Sequence, residues 1–257
     1  MKKRLSQFMA LILIVLMSAC DKDNSANTAQ VNMRLTDGPA VYDHVYIDIQ
    51  QVEVTVEGSS AVTLAPVHAG VYDILSFRNG LDTLLMRATL PAGKVNQIRL
   101  ILGSNNSLVV NGTSYPLNTP SAQESGLKLN FNQTLEAGGS YDIWIDFDAA
   151  KSILQTGNGS YKLKPVIRAY SASTNGQIKG YVLPLNASAI VYAANGTDTL
   201  TAIPNSIDGF FRISGMTSGS YQLWVTPGIT GLLPYTQAGI QVTYGAQVDL
   251  GTITLHP

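Results

Sequence analysis

The chain has 257 residues, a formal net charge of −1 and only 13% charged residues. The charges are scattered, with no basic patch to follow a phosphate backbone, which argues against a nucleic-acid partner. A single cysteine leaves no disulfide framework, and the length suits two domains, each able to bury its own core.

The chain opens with Lys2, Lys3 and Arg4, followed by an unbroken apolar run over residues 8–17. A bilayer-spanning helix needs about 20 apolar residues. This run is too short for that and has no polar face for a core helix, but it suits a signal-peptide core. Small residues Ser18 and Ala19 then precede Cys20, the lone cysteine. This arrangement resembles a bacterial lipobox. The resemblance implies cleavage of a signal peptide, residues 1–19, and acylation of Cys20, so that lipid holds the rest at a membrane. Removing Lys2, Lys3 and Arg4, and no acid, would take the formal charge from −1 to −4. Asp21 and Asp23 resemble the surface-export signal of Bacteroidetes lipoproteins, which implies the outer membrane, at its cell-surface or periplasmic face. Residues 20–30 are small and polar and are expected to form a flexible tether.

From Val31 onward, apolar residues alternate with polar ones, the period of strands. Val45, Ile47 and Ile49 share one parity; Val52, Val54 and Val56 have the other. The phase flips at Gln50 and Gln51, which predicts a bulge or bend. Residues 81–88 are expected to form one or two helical turns. Asn111-Gly112 has hairpin-turn chemistry between two short strands. Residues 141–147 alternate again, with Tyr141, Ile143, Ile145 and Phe147 on one face. Asp148 is placed to cap a short helix over residues 149–156, ended by Gly157. Residues 161–170 are expected to return as a strand that Pro165 confines to an edge or a bulge. The polar stretch 171–176 breaks the pattern and sets the domain boundary. Beyond it, short strands recur with turn signals about every ten residues, as in a β-sandwich.

Asp208-Gly209, the alternating Phe211 and Ile213, and then Gly219, Tyr221, Leu223 and Val225 resemble the carboxypeptidase regulatory-like module. The resemblance covers nearly all of residues 176–257 and implies a small transthyretin-like sandwich with no catalytic residues of its own. Earlier segments, among them Leu35-Thr-Asp-Gly-Pro39, Tyr72-Asp-Ile-Leu75 and Ile145-Asp-Phe-Asp148, resemble a Bacteroidetes lipoprotein family, domain of unknown function 4382. That resemblance covers most of residues 31–170 and implies an architecture and a location, without an assigned activity. The expected fold is therefore all-β. Two sandwich domains, residues 31–171 and 176–257, stand in series behind a lipoprotein signal peptide, the second of them transthyretin- or immunoglobulin-like.

The chemistry-bearing residues are sparse. His44, His68 and His256 fit no metal-binding spacing, and neither HExxH nor GxSxG occurs. No catalytic residue or obligatory cofactor is expected. The densest cluster is on the strand at residues 141–148, where alternation places Asp142, Trp144, Asp146 and Asp148 on the face opposite the core. Carboxylates in a row repel one another. Lys162, Lys164 and Arg168 are expected to offset that, or else a hard cation such as calcium, held by Asp142, Asp146 and Asp148. Trp144 offers a flat surface for a sugar ring or for the second domain, and Trp224 has the same outward parity. The plainer alternative is a solvated strand with Asp148 serving only as a cap. Asp82-Thr83-Leu84 and Asp198-Thr199-Leu200 resemble acceptors of Bacteroidetes O-glycosylation, which implies modification at Thr83 and Thr199; plain surface threonines are the alternative. The expected function is a non-catalytic envelope lipoprotein acting in binding or adhesion, with a glycan or an envelope protein as partner. The alternative is a structural subunit or spacer of a surface appendage or envelope complex.

Overall fold

The computed structural model describes residues 27–119, 125–157, 159–196 and 198–257. The expected signal peptide, residues 1–19, and Cys20 lie outside the described residues. No helix among the described residues is long and apolar enough to cross a membrane. The chain is nearly all β, in two sandwiches with separate cores.

The first sandwich packs a four-stranded sheet on a nine-stranded one. The smaller sheet has the order β13 (Ile167–Ser171), β10 (Ser140–Asp148), β1 (Thr28–Gly38), β5 (Thr83–Pro91). β1 runs parallel to β10 and antiparallel to β5. The larger sheet centres on β2 (His44–Val56) and β6 (Gly93–Leu102). β3 (Val62–Leu64) and β4 (Gly70–Asp73) both pair with β2, and β9 (Leu127–Leu135) pairs with β6. β7 (Ser107–Val110) and β8 (Thr113–Asn118) extend the sheet towards β11 (Ile153–Gln155) and β12 (Tyr161–Leu163). Val31, Met33 and Leu35 of β1 meet Ile143, Ile145 and Phe147 of β10 in one apolar core.

The second sandwich has a three-stranded sheet, β17 (Phe210–Met216), β14 (Gly176–Leu183) and β20 (Gln247–Thr254). It faces a four-stranded sheet of β16 (Asp198–Ala202), β15 (Ile190–Asn195), β18 (Gly219–Thr226) and β19 (Tyr235–Val242). Phe211 and Ile213 come from one sheet, Tyr221, Leu223 and Val225 from the other, and all are buried in the shared core.

Local expectations met different fates. The parity flip is a register shift between Ile49 and Gln51, so both halves of β2 point valines and isoleucines inward. Asn111 and Gly112 have φ of 50° and 74°, as a two-residue hairpin turn requires, and Val110 pairs with Thr113. The helical turns expected over residues 81–88 are instead the start of β5. A register shift opposite Met33 and Arg34 buries Leu85 and Met86 side by side, which breaks the strand alternation and imitates a helical period. The helix after Asp148 is only Ala149–Ser152. Asp148 does cap it, accepting a hydrogen bond from the Lys151 amide, but Ile153 leaves the helix to pair with Leu163. The strand expected over residues 161–170 divides at Pro165. β12 joins the large sheet and β13 the small one, because proline has no N–H to continue a ladder.

Candidate functional site

The outer face of the small sheet carries the polar residues that alternate with the core. Register decides which of them meet. Arg34 lies beside Trp144 and Thr36 beside Asp146 across the β1–β10 ladder. Tyr170 lies beside Trp144 and Arg168 beside Asp146 across β10–β13. This face is turned to the second sandwich.

Each outward carboxylate of β10 has its own partner. Asp142 accepts a hydrogen bond from Asn32 at 3.2 Å and lies 3.5 Å from the Arg34 guanidinium. Asp146, nearly fully buried, takes two N–H groups of Arg168 on one oxygen, the Nε one at 2.8 Å. Asp148 caps the short helix and pairs with Lys151 at 3.2 Å. The three therefore do not converge, and no group of three His, Cys, Asp or Glu side chains suited to a metal exists among the described residues. The calcium set of Asp142, Asp146 and Asp148 is corrected accordingly. The offsetting cations are Arg34, Arg168 and Lys151; Lys162 and Lys164 are exposed and make no ion pair with these carboxylates. Two neighbouring strands and the short helix after β10 supply these counter-charges.

Two of these groups sit in strongly altered surroundings. Asp37 is buried, and burial pushes its pKa well above the usual carboxylate range, with the Asp146 charge adding to the shift. Its Oδ1 accepts from the Ala149 amide at 3.2 Å, while its Oδ2 has no protein partner. Arg168 is pulled down by burial, but the Asp146 carboxylate more than offsets this, and its pKa is raised overall.

The junction joins the two sandwiches through specific bonds. Arg168 reaches the Ser214 carbonyl at 3.3 Å, and Lys151 donates to the Thr199 carbonyl at 2.6 Å. Asn79 donates to the Ile203 carbonyl at 3.1 Å and accepts from the Arg212 amide at 3.4 Å. Two glycines make the close approach feasible. A Cβ on Gly80 would lie 2.5 Å from Nη1 of Arg212, and one on Gly215 would lie 2.5 Å from the Tyr170 ring; both residues have positive φ.

Trp144 stands at this junction. Its ring stacks on Tyr170 with centroids 5.8 Å apart, and its indole N–H donates to Asp82 at 2.8 Å. Asp82 also takes Arg34 at 2.8 Å. Trp144 and Tyr170 line a hollow of about 250 Å³ whose remaining wall includes Asp82, Asn175, Gln177 and Arg212. An aromatic surface beside planar polar side chains is suited to stacking on a sugar ring and hydrogen-bonding its edge. Two other hollows, of about 330 and 320 Å³, flank the loop at Pro204. Arg78 is the one charged residue on their walls, and neither wall carries a tryptophan. We place the candidate site at Trp144 for that reason.

The other candidates lie elsewhere. Trp224 stacks on Tyr192, centroids 5.2 Å apart, on the outer face of the four-stranded sheet, and lines none of these hollows. Thr83 and Thr199 are half-buried on β5 and β16. His44 lies 2.7 Å from Asp73, but Ser76 donates to Asp73 and not to the histidine, so no nucleophile–base pair forms there. Sequence reasoning passed over Asn175, Gln177 and Arg212 as site residues. Arg212 has outward parity between Phe211 and Ile213, which any solvated arginine shares, and Asn175 and Gln177 had no signal.

A family model described as a domain of unknown function (DUF4382) matches residues 28–165, more than half of the chain. The chain belongs to the DUF4382 family. The DUF4382 region thus supplies Trp144, Asp82 and Arg34, while Tyr170, Asn175, Gln177 and Arg212 come from beyond the matched residues. No curated protein matches the chain significantly. Similar solved structures include a cohesin–X-dockerin complex from Acetivibrio cellulolyticus, 24% identical over 31% of this chain and 56% of that one, with a TM-score of 0.25. The minor pilin GBS52 of Streptococcus agalactiae is 10% identical over 88% of this chain and 95% of that one, TM-score 0.24. A fimbrial protein from Bacteroides ovatus is 8% identical over 90% and 51%, TM-score 0.26. The chain spans little more than half the length of the cohesin and fimbrial chains. At such TM-scores these likenesses carry no argument about function.

Proposed function

We propose that this DUF4382 protein is a non-catalytic envelope lipoprotein that binds a glycan in the hollow between its two sandwiches. The observation that carries the reading is the hollow itself, with the stacked Trp144–Tyr170 pair on its wall and Asp82, Asn175 and Gln177 around it. The membrane half rests on the apolar run, the small residues and the lone Cys20. On this reading Cys20 carries the acyl chains, and the outer membrane is the site of attachment. The second sandwich is a carboxypeptidase regulatory-like module that completes the binding wall. Thr83 and Thr199 remain proposed O-glycosylation acceptors, and mass spectrometry of the native protein tests them.

A glycan array probed with the purified chain tests the binding half. Binding to a restricted set of glycans, lost in Trp144→Ala and kept in Trp224→Ala, is the expected result. Binding to none sinks it. Palmitate labelling tests the anchor: Cys20→Ala should lose the label and leave the membrane fraction. A second reading, a spacer or appendage subunit, is favoured by the bonds from Arg168, Lys151 and Asn79, which tie the sandwiches together along the chain. A stoichiometric envelope partner in a pull-down, with an empty array, would select it.

A further inference from the structure

One cation on the wall of the hollow has no ion-pair partner among the described residues. Asp82 is paired with Arg34, and Asp146 with Arg168. Burial favours the protonated, neutral form of Asp37. Arg212 remains. Its guanidinium makes no hydrogen bond or ion pair among the described residues, and its Nε is buried without a partner. Its Cζ lies 5.5 Å from the centroid of the Phe210 ring, and its side chain packs close to Gly80. It lines the hollow on the wall shared with Gln177 and Asn175. The Gln177 side chain makes no hydrogen bond among the described residues, and the Asn175 amide nitrogen makes none; only the Asn175 oxygen is engaged, by the Gly215 amide at 2.7 Å.

The unengaged groups on this wall are thus dominated by donors. An uncharged sugar presents hydroxyls that donate as well as accept, and would leave Arg212 uncompensated. A carboxylate only accepts, with a planar geometry that matches a guanidinium fork. We infer that the ligand of this hollow is an acidic sugar, its ring against Trp144 and its carboxylate on Arg212. The inference rests on the glycan reading above and narrows it to one class of sugar. A volume of about 250 Å³ suits a single such residue, free or at a chain end, more than the middle of a polymer.

The test uses the full chain in a Trp224→Phe background, so that fluorescence reports on Trp144 alone. The probes are glucuronate and galacturonate, the matching neutral sugars glucose and galactose, and acetate. The uronates should quench the signal saturably and bind about tenfold more tightly than the neutral sugars, as one charge-assisted hydrogen-bonded contact predicts. Arg212→Gln should erase that preference, and Arg212→Lys should restore part of it. Thermal melts of both variants check folding; should Arg212→Gln not fold, the preference of the parent chain for uronates over neutral sugars decides alone. Equal binding of acidic and neutral sugars overturns the inference and leaves the glycan reading standing. Acetate binding as tightly as the uronates overturns it in favour of a bare anion site. Silence with every probe, together with an empty array, overturns both.

Discussion

Trp144 and Trp224 make the same local structure in different surroundings. Each sits on a strand face opposite the core and stacks on a tyrosine of the next strand, with ring planes 12° and 7° apart. Cross-strand aromatic stacking is therefore common to both. What differs is what lies above the sheet. Over Trp144 the second sandwich closes in, Asp82 takes the indole proton, and Arg168 ties the buried Asp146 to Ser214. Trp224 is half-buried but lines none of the hollows described above, and its indole N–H makes no hydrogen bond among the described residues. A motif shared by two sheets lines a hollow on one of them because a second domain supplies the opposite wall.

The largest expected way to break this contrast is Arg168→Met. It strands the Asp146 carboxylate in a buried setting and removes the bond to Ser214, and should cost about 3 kcal/mol. Denaturant unfolding should show it, with the sandwiches separating into two transitions; a single transition at the parent midpoint would refute the coupling. Next comes the direct pair. Trp144→Ala should cost about 2–3 kcal/mol, combining lost stacking with a part-buried Asp82 contact left open. Trp224→Ala should cost about 1 kcal/mol, the stacking alone. Equal losses in thermal melts would mean that the junction adds nothing to the motif.

The smallest effect sharpens the electrostatic side of the comparison. The folded-state pKa of Asp37 is raised, so the folded chain keeps a proton over a pH range where the unfolded chain has lost it. Its contribution is therefore fully present below the unfolded value of about 3.9 and is lost as pH rises through the folded-state value. Asp37→Asn removes this dependence. The variant should be about 1 kcal/mol more stable than the parent at neutral pH, with a flatter stability curve above pH ~4. A variant whose curve parallels the parent's would assign the titration to another group.

Sequence carried the parts of this molecule that depend on neighbours along one strand. The inward set of β10, the bulge in β2 and the Asn111-Gly112 turn all follow from residues a few positions apart. β5 was misread because two adjacent buried residues at a bulge have the spacing of a helix face. The counter-charge of Asp142 was missed because it depends on which strand lies alongside, whereas Lys151, only three positions beyond Asp148, was within local reach and passed over. Arg34 reaches Asp142 from a strand about 110 positions away, and alternation says nothing about order within a sheet. Arg212 was missed for the same reason. Its role comes from a domain contact, and its outward parity looks identical to that of any solvated arginine.

The placement of β1 has a consequence for how the protein is made. Among the described strands β1 is synthesised first, yet it is an inner strand, flanked by β5 and by β10. Its parallel partner comes about 110 residues later, so one side of it stays unsatisfied until most of the first sandwich has been synthesised. Val31, Met33 and Leu35 are exposed through that interval and are prone to wrong pairing. The first sandwich can therefore close only once β10 has been synthesised, and β1 needs shielding until then.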